Sequence, residues 1–253
     1  MLAHERRTKI YELMKEEGAV RTAALSDIFG VSEVTIRQDL DRLAADGLIT
    51  REHGGAYLNT IPDQVARLAL EHSENMDKKG RIGAAAAALV RNGERIVLDA
   101  GSTTTEVARA IQATELTVIT NALNIALLLG SRPGISVMVT GGDFKAPTLS
   151  LTGEKAAAFF EGINVDKVFL ATAGADLEAG LTYPGFADLP VKRAMIAAAY
   201  EVYLVADSTK IGRRSLATLG GVGLLSAVIT DDGIGSDVRA GFENAGVRVI
   251  VAR

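Results

Sequence analysis

Ser32-Glu33-Val34-Thr35-Ile36-Arg37-Gln38-Asp39-Leu40-Asp41-Arg42-Leu43 is the stretch on which the reading of this chain turns. Ser32 has a side-chain oxygen suited to capping a helix start. Ile36, Leu40 and Leu43 recur at i, i+4 and i+7, one apolar stripe on a helix. Thr35, Arg37, Gln38 and Arg42 then point elsewhere, and side chains of these types read base edges or grip phosphates. The stretch predicts the second helix of a helix-turn-helix, the one that enters DNA.

The residues around it support that reading. A short amphipathic helix is expected over Glu5 to Glu17, with Ile10, Leu13 and Met14 inward and Gly18 ending it. Thr22 is the expected cap of a second helix through Phe29, with Leu25, Ile28 and Phe29 inward. Gly30-Val31 makes the turn, and two helices joined by a short Gly-containing turn define the motif. Gly47 is placed to end the DNA-reading helix. Two β-prone runs, Leu48 to Arg51 and Ala56 to Leu58, flank His53-Gly54-Gly55 as a hairpin. Three helices and a hairpin over residues 1–58 make a winged helix. Its expected DNA contacts are Ser32, Thr35, Arg37, Gln38, Arg42, Arg51 and His53, the last being either a phosphate or groove contact or a plain turn residue. Residues 1–58 hold eight Lys and Arg against ten Asp and Glu, so positive charge must be gathered on one face. Asp39, which DNA would repel, is expected to pair with a nearby Arg or to fix the helix.

Bulk composition narrows the classes. The chain has 253 residues, 48% hydrophobic and 23% charged, enough for packed cores. Without cysteine there is no disulfide framework, zinc finger or thiol nucleophile. His4, His53 and His72 are the only histidines, so a His-based metal site is not expected, and no cofactor is implied. Met1 to Arg7 lacks the apolar segment of a secretory signal. Ile82 to Val90 and Ala122 to Leu129 are too short to span a bilayer. A cytoplasmic protein with no membrane role is expected. The net charge of −4 does not by itself advertise a nucleic-acid binder.

Residues 59–80 are polar, with Pro62 and Asp77-Lys78-Lys79, and suit a linker with one short helical piece. Lys78 and Lys79 are solvated linker charges in this reading, with a bound anion as the alternative. Residues 81–253 alternate apolar β runs with helical segments, which predicts an α/β domain with a mostly parallel sheet. Strands are expected at 95–98, 116–119, 135–139, 167–170, 202–205, 227–229 and 247–251. Helices are expected at 78–91, 103–111, 122–129, 154–161, 189–200 and 236–244. Uniformly apolar strands imply helices on both faces.

The first six of these strands each run into a polar segment: Asp99-Ala100-Gly101-Ser102-Thr103-Thr104-Thr105, Thr120-Asn121, Thr140-Gly141-Gly142-Asp143, Thr172-Ala173-Gly174, Asp207-Ser208-Thr209-Lys210 and Thr230-Asp231-Asp232. Open α/β sheets bind ligands beyond the carboxyl ends of their strands. The Ser102 to Thr104 turn offers helix-start amides and hydroxyls to a phosphate, and Gly101 permits close approach. Asp99 is expected to face sugar hydroxyls or hold the loop. Lys210 is the best cation for a phosphate. Lys192 either reaches the mouth of the site or lies on the surface. Tyr183 and Phe186, around Pro184-Gly185, either cover the ligand or pack the loop. The expected effector set is Asp99, Gly101, Ser102, Thr103, Thr104, Asn121, Gly141, Gly142, Gly174, Lys192, Asp207 and Lys210.

Both halves resemble the DeoR family of bacterial transcriptional regulators. The matching pieces are Arg6…Ile10…Met14, Ser32-x-x-Thr35-Ile36-Arg37-x-Asp39-Leu40 and Asp46-Gly47-Leu48-Ile49…Gly54-Gly55-Ala56 in the first half. In the second they are Asp99-x-Gly101-Ser102-Thr103, Thr120-Asn121, Gly141-Gly142, Lys192-Arg193-Ala194-Met195 and Ala206-Asp207-Ser208-x-Lys210. The resemblance implies an effector domain related in fold to ribose-phosphate isomerase. It also implies a regulator, not an enzyme, typically a repressor of a sugar-catabolic operon released by a sugar phosphate. Double-stranded operator DNA, a sugar phosphate and further copies of the chain, as dimer or tetramer, are the partners it implies. An isomerase fused to a DNA-binding module, with Asp99, Asp207 or Asp231 as base, is the alternative.

Overall fold

The computed structural model describes residues 2–52, 54–58 and 75–253, and its contacts divide into a unit before Asn75 and a unit from Asn75 onward. The first contains α1 (Ala3–Glu17), β1 (Ala19–Arg21), α2 (Thr22–Phe29), α3 (Glu33–Ala45), β2 (Ile49–Glu52) and β3 (Gly55–Leu58). The stripe on α3 is fully buried: Ile36, Leu40 and Leu43 pack with Ile10 and Met14 of α1, Leu25 of α2 and Leu48. Each such side chain contributes about 1.5–3 kcal/mol by leaving water. Ser32 caps α3, its Oγ accepting the Thr35 amide at 3.2 Å. Gly30, at φ 62, supplies the left-handed turn between α2 and α3.

The wing is larger than expected. β1 joins β2 and β3 in a three-stranded antiparallel sheet ordered β1-β3-β2. Gly55 is where β3 meets β1, and a Cβ there would lie 2.3 Å from the Val20 carbonyl oxygen. Two expectations need correction. Thr22 is the first helical residue of α2 and Arg21 occupies the cap position. Ile28 is 60% exposed, because an eight-residue helix buries only one narrow face and Leu25 fills it.

The second unit begins with α4 (Met76–Ala87), which starts inside the expected linker and ends short of Arg91. There follow β4 (Arg95–Leu98), α5 (Ser102–Ala110), β5 (Leu116–Thr120), α6 (Leu123–Gly130) and β6 (Ile135–Val139). Next come β7 (Asp143–Lys145), β8 (Ser150–Thr152), α7 (Glu154–Ala158), β9 (Val165–Leu170), β10 (Gly174–Asp176) and β11 (Gly180–Tyr183). The chain closes with α8 (Leu189–Ala198), β12 (Ala199–Val205), β13 (Ala217–Gly220), β14 (Ala227–Asp231), α9 (Ser236–Asn244) and β15 (Arg248–Ala252).

Seven strands form one parallel sheet in the order β15-β14-β12-β9-β4-β5-β6. The chain starts at β4, winds outward to β6, crosses back to β9 on the other side of β4, and winds outward to β15. The order therefore reverses between β4 and β9, the kind of crevice where doubly wound sheets bind ligands. Alternate residues feed two cores. Val97, Val168, Leu170 and Leu204 meet Val191 and Met195 of α8 and Phe242 of α9. Ile96, Leu98, Phe169 and Val205 meet Ile82 of α4, Val107 of α5 and Ile125 of α6. Gly83 lets α4 cross α5 closely, since a Cβ there would lie 2.6 Å from the Glu106 backbone.

β6 departs from the expectation of strands covered on both faces. As the edge strand it exposes Met138 and Val139. The segments read as loops also contain strands: β7 pairs β8, and β10-β11-β13 form a small antiparallel sheet. These strands are only three or four residues long, too short for periodicity to mark them.

Candidate nucleic-acid interface and ligand site

On α3, Gln38 and Arg37 are exposed, while Thr35 and Arg42 are half-buried. Thr35 also shares the cap, its hydroxyl 3.0 Å from that of Ser32. The arginines do not stand as bare cations. Arg37 donates to Glu33 at 2.6 Å, Arg42 lies 3.5 Å from Asp46, and Arg51 of β2 lies 3.3 Å from Asp41. The positive face required by the charge count is thus partly neutralised by its own carboxylates. Asp39 is buried and accepts from Arg6 of α1 at 2.5 Å, with Arg7 at 3.9 Å, so it ties α3 to α1. His53 lies outside the described residues. Val34, on the first turn of α3, is 60% exposed. A lone apolar residue off the stripe carries no signal in the sequence, so it escapes a reading built on the stripe and on polar side chains.

In the second unit Asp99 follows β4 at the reversal point and is fully buried. Its Oδ1 accepts the Ala100 amide at 2.8 Å and its Oδ2 the Ala171 amide, just beyond β9, at 3.0 Å. Lys192 of α8, itself buried, donates to Oδ2 and sits 4.6 Å over the Tyr183 ring. Lys192 is therefore not a surface residue. Burial pushes the Asp99 carboxyl above its ordinary value, and the Lys192 ammonium and the two amides pull it partly back. Tyr183 is buried in β11 and donates to the Ala171 carbonyl at 2.8 Å. Burial, with the charge of Asp99 added, pushes its phenol well above the usual tyrosine range, so it stays a donor. Phe186, in contrast, is 65% exposed.

Gly101 brings the loop close to β9, since a Cβ there would lie 2.6 Å from that of Ala171. Its carbonyl accepts the hydroxyls of Thr104 and Thr105, both at 2.8 Å. The Thr105 amide makes the first bond of α5, to Gly101 at 3.0 Å, so the Ser102, Thr103 and Thr104 amides lie ahead of any intrahelical acceptor. Asn121, after β5, is buried and bridges Ala100 at 3.0 Å to Leu151 at 3.1 Å. Asp207 caps the short turn Ser208–Lys210 through the Thr209 amide at 3.0 Å. The Lys210 ammonium has no ion pair among the described residues.

Gly141, Gly142 and Gly174 stand differently. Gly141 is exposed with open space around it. Gly142 has φ 119, and a Cβ would lie 2.5 Å from the Thr152 carbonyl. Gly174 is pressed against the Arg213 carbonyl, 2.4 Å from a built Cβ, and is a packing position in β10. Thr140, after β6, is buried, and its hydroxyl has no hydrogen-bond partner among the described residues. Such a group costs about 1–3 kcal/mol unless something meets it. Lys145 of β7 lies 2.7 Å from Asp188 at the start of α8. No sequence signal marks this pair, because the two meet only through the β7-β8 hairpin.

Family models match both units: the DeoR-like helix-turn-helix domain over residues 6–61 and the DeoR C terminal sensor domain over residues 74–232. The chain belongs to the DeoR family. It is a DNA-binding transcriptional regulator of that family. It is 36% identical over 251 residues to the HTH-type transcriptional regulator GlpR of Haloferax volcanii, covering 99% of this chain and 98% of the relative. It is 32% identical over 228 residues to the glycerol-3-phosphate regulon repressor of Escherichia coli K12, covering 90% of each. Among solved structures, ribose 5-phosphate isomerase A of Methanocaldococcus jannaschii aligns over 55% of each chain, with TM-score 0.40 and 17% identity. The sorbitol operon regulator SorC of Klebsiella pneumoniae aligns over 95% of this chain and 99% of its own, with TM-score 0.38 and 11% identity. Among the described residues of this DeoR-family chain, no helix is long and apolar enough to cross a membrane.

Proposed function

We propose that this DeoR-family regulator is a repressor that grips operator DNA with α3 and the wing and lets go when a phosphorylated sugar or polyol occupies the sensor unit. The observation that carries the reading is the polar loop held at the β4–β9 reversal of strand order. There the Ser102, Thr103 and Thr104 amides, which precede the first intrahelical bond of α5, follow the loop fixed by the Asp99–Lys192 pair. Helix-start amides and hydroxyls suit a phosphate, and Lys210 adds the cation. Asn121, Gly141, Gly142 and the unmet Thr140 hydroxyl line further strand ends, where the polyol portion binds. The name of the relative concerned with the glycerol-3-phosphate regulon supports a small phosphorylated effector.

On DNA, Gln38 and Arg37 read base edges, and Val34 packs against a thymine methyl. Arg42, Arg51 and His53 hold phosphates, while Ser32 and Thr35 set the helix start against the backbone. Arg37, Arg42 and Arg51 exchange their carboxylate partners for DNA. The regulator binds as a homo-oligomer, because two half-sites multiply weak single-domain contacts. The exposed apolar residues Leu127, Met138, Val139 and Phe144 support a contact between copies near edge strand β6. It works in the cytoplasm, where the operator is.

The non-enzymatic reading rests on Asp99. A general base needs a lone pair aimed at the substrate, whereas the Asp99 oxygens are buried beneath two amides and an ammonium. A thermal-shift screen of sugar phosphates tests the whole proposal. A ligand at 100 times its Kd adds about 2.7 kcal/mol of stability. The same ligand must weaken binding to the promoter upstream of the protein's own gene, and Lys210→Ala must abolish the shift. Turnover of a pentose or hexose phosphate, lost in Asp99→Asn, would overturn the regulator-only reading.

A further inference from the structure

The geometry points to Lys78 as the residue that couples occupancy of the sensor site to the connector leading toward the DNA-binding unit; this rests on the effector reading above. Lys78 stands on the first turn of α4, where the second unit begins. Its ammonium donates to the Ser208 hydroxyl at 2.9 Å and lies 3.0 Å from Oδ2 of Asp231. Asp231 ends β14, and its carboxylate is fully buried. It also accepts the Ser208 amide at 2.6 Å, the Ser208 hydroxyl at 2.8 Å and the Gly233 amide at 3.0 Å. Ser208, Asp231 and Lys78 thus form a closed ring.

Ser208 lies between Asp207 and Lys210, in the turn after β12 that supplies the Lys210 cation to the phosphate in the reading above. The hydroxyl has one proton, and Asp231 holds it. A ligand oxygen that accepts this proton or the Ser208 amide takes a donor from a buried carboxylate. The Gly233 backbone closes over the ring, since a Cβ there would lie 2.4 Å from the Ser208 Oγ. Ligand binding and the Lys78 anchor therefore oppose one another. What gives is the first turn of α4, because Lys78 is half-exposed whereas Asp231 is fully enclosed. An effector acts only through such a difference between two states.

Arg81, one turn along α4, provides a control. It pairs with the exposed Asp232 at 3.2 Å, with no contact to Ser208. The test uses the full chain, with glycerol 3-phosphate and fructose 1-phosphate as probes and inorganic phosphate as the common anion. Two quantities are read: the thermal shift, and the ratio of operator Kd with and without probe. In the wild type the probe raises the ratio about fivefold or more, the range of allosteric coupling. Lys78→Met is expected to keep the thermal shift while the ratio falls to about 1. Lys78→Arg is expected to restore the ratio, and Arg81→Met to leave it at the wild-type value. A wild-type ratio in Lys78→Met overturns the coupling role. So does loss of the thermal shift in that variant, which would make Lys78 a ligand-binding residue. Equal loss of the ratio in Arg81→Met would reduce the pair to general anchoring of α4. Absence of any shift in the wild type would instead sink the effector reading itself.

Discussion

Asp99 and Lys192 stand 93 residues apart in the chain and meet as a buried ion pair at the point where the sheet reverses its order. One closes the strand that starts the sheet, and the other stands on the helix that covers it. The pair fixes the loop from which α5 departs, because Asp99 also accepts the Ala100 and Ala171 amides.

Removing one partner leaves the other buried without compensation. Lys192→Met is expected to cost about 3–5 kcal/mol in urea unfolding. The double variant Asp99→Asn/Lys192→Met should recover much of that loss, because neither remaining group carries a charge. A single-variant loss below about 1 kcal/mol would mean that water reaches Asp99.

Exposed and buried residues of α3 should separate cleanly. Arg37→Ala breaks only a solvent-exposed pair with Glu33, so the thermal midpoint should stay put. Operator affinity should fall by about 1–3 kcal/mol, and Gln38→Ala should behave alike. Leu40→Ala instead removes a fully buried side chain and should destabilise the winged helix by about 2–5 kcal/mol. Circular dichroism melts beside operator titrations distinguish the two classes. A melt shift in Arg37→Ala as large as in Leu40→Ala would contradict this division.

Gly141 and Gly142 are neighbours with opposite tolerance. Gly142→Ala must place a Cβ 2.5 Å from the Thr152 carbonyl at φ 119, so a loss of about 1–3 kcal/mol is expected. Gly141→Ala meets open space and should change stability little. Equal melting temperatures for the two variants would show that the β7-β8 hairpin moves aside.

Acid should act on Asp231 in a defined direction. Burial opposes its charge, yet the Ser208 amide, Lys78, the Ser208 hydroxyl and the Gly233 amide lower it from 3.8 to about 2. A depressed carboxyl stabilises the fold above its unfolded pKa and loses that contribution as pH falls through the folded one. The stability gap between wild type and Asp231→Asn should be level above about pH 4 and shrink toward pH 2, by about 2 kcal/mol. Asp99, shifted upward, runs the other way, and its contribution declines as pH rises above 3.8. A gap for Asp231→Asn that grows on acidification would contradict the assignment of donors.

The chain by itself determined the winged helix, the alternation of strands with helices, and the placement of polar residues at the strand ends. Ser32, Ile36, Leu40 and Leu43 announce α3 because capping and a 3.6-residue stripe are local properties. Short apolar runs likewise mark the buried strands β4 and β12. Only the tertiary structure decided that β9 returns beside β4, that Lys192 is buried against Asp99, and that Asp39 belongs to Arg6. It also decided that Lys78, which reads as a solvated linker charge, is held by Asp231 and Ser208. The physical reason is the same in each case. Periodicity says which side of an element faces the core, whereas the partner found there depends on how separate layers are brought together.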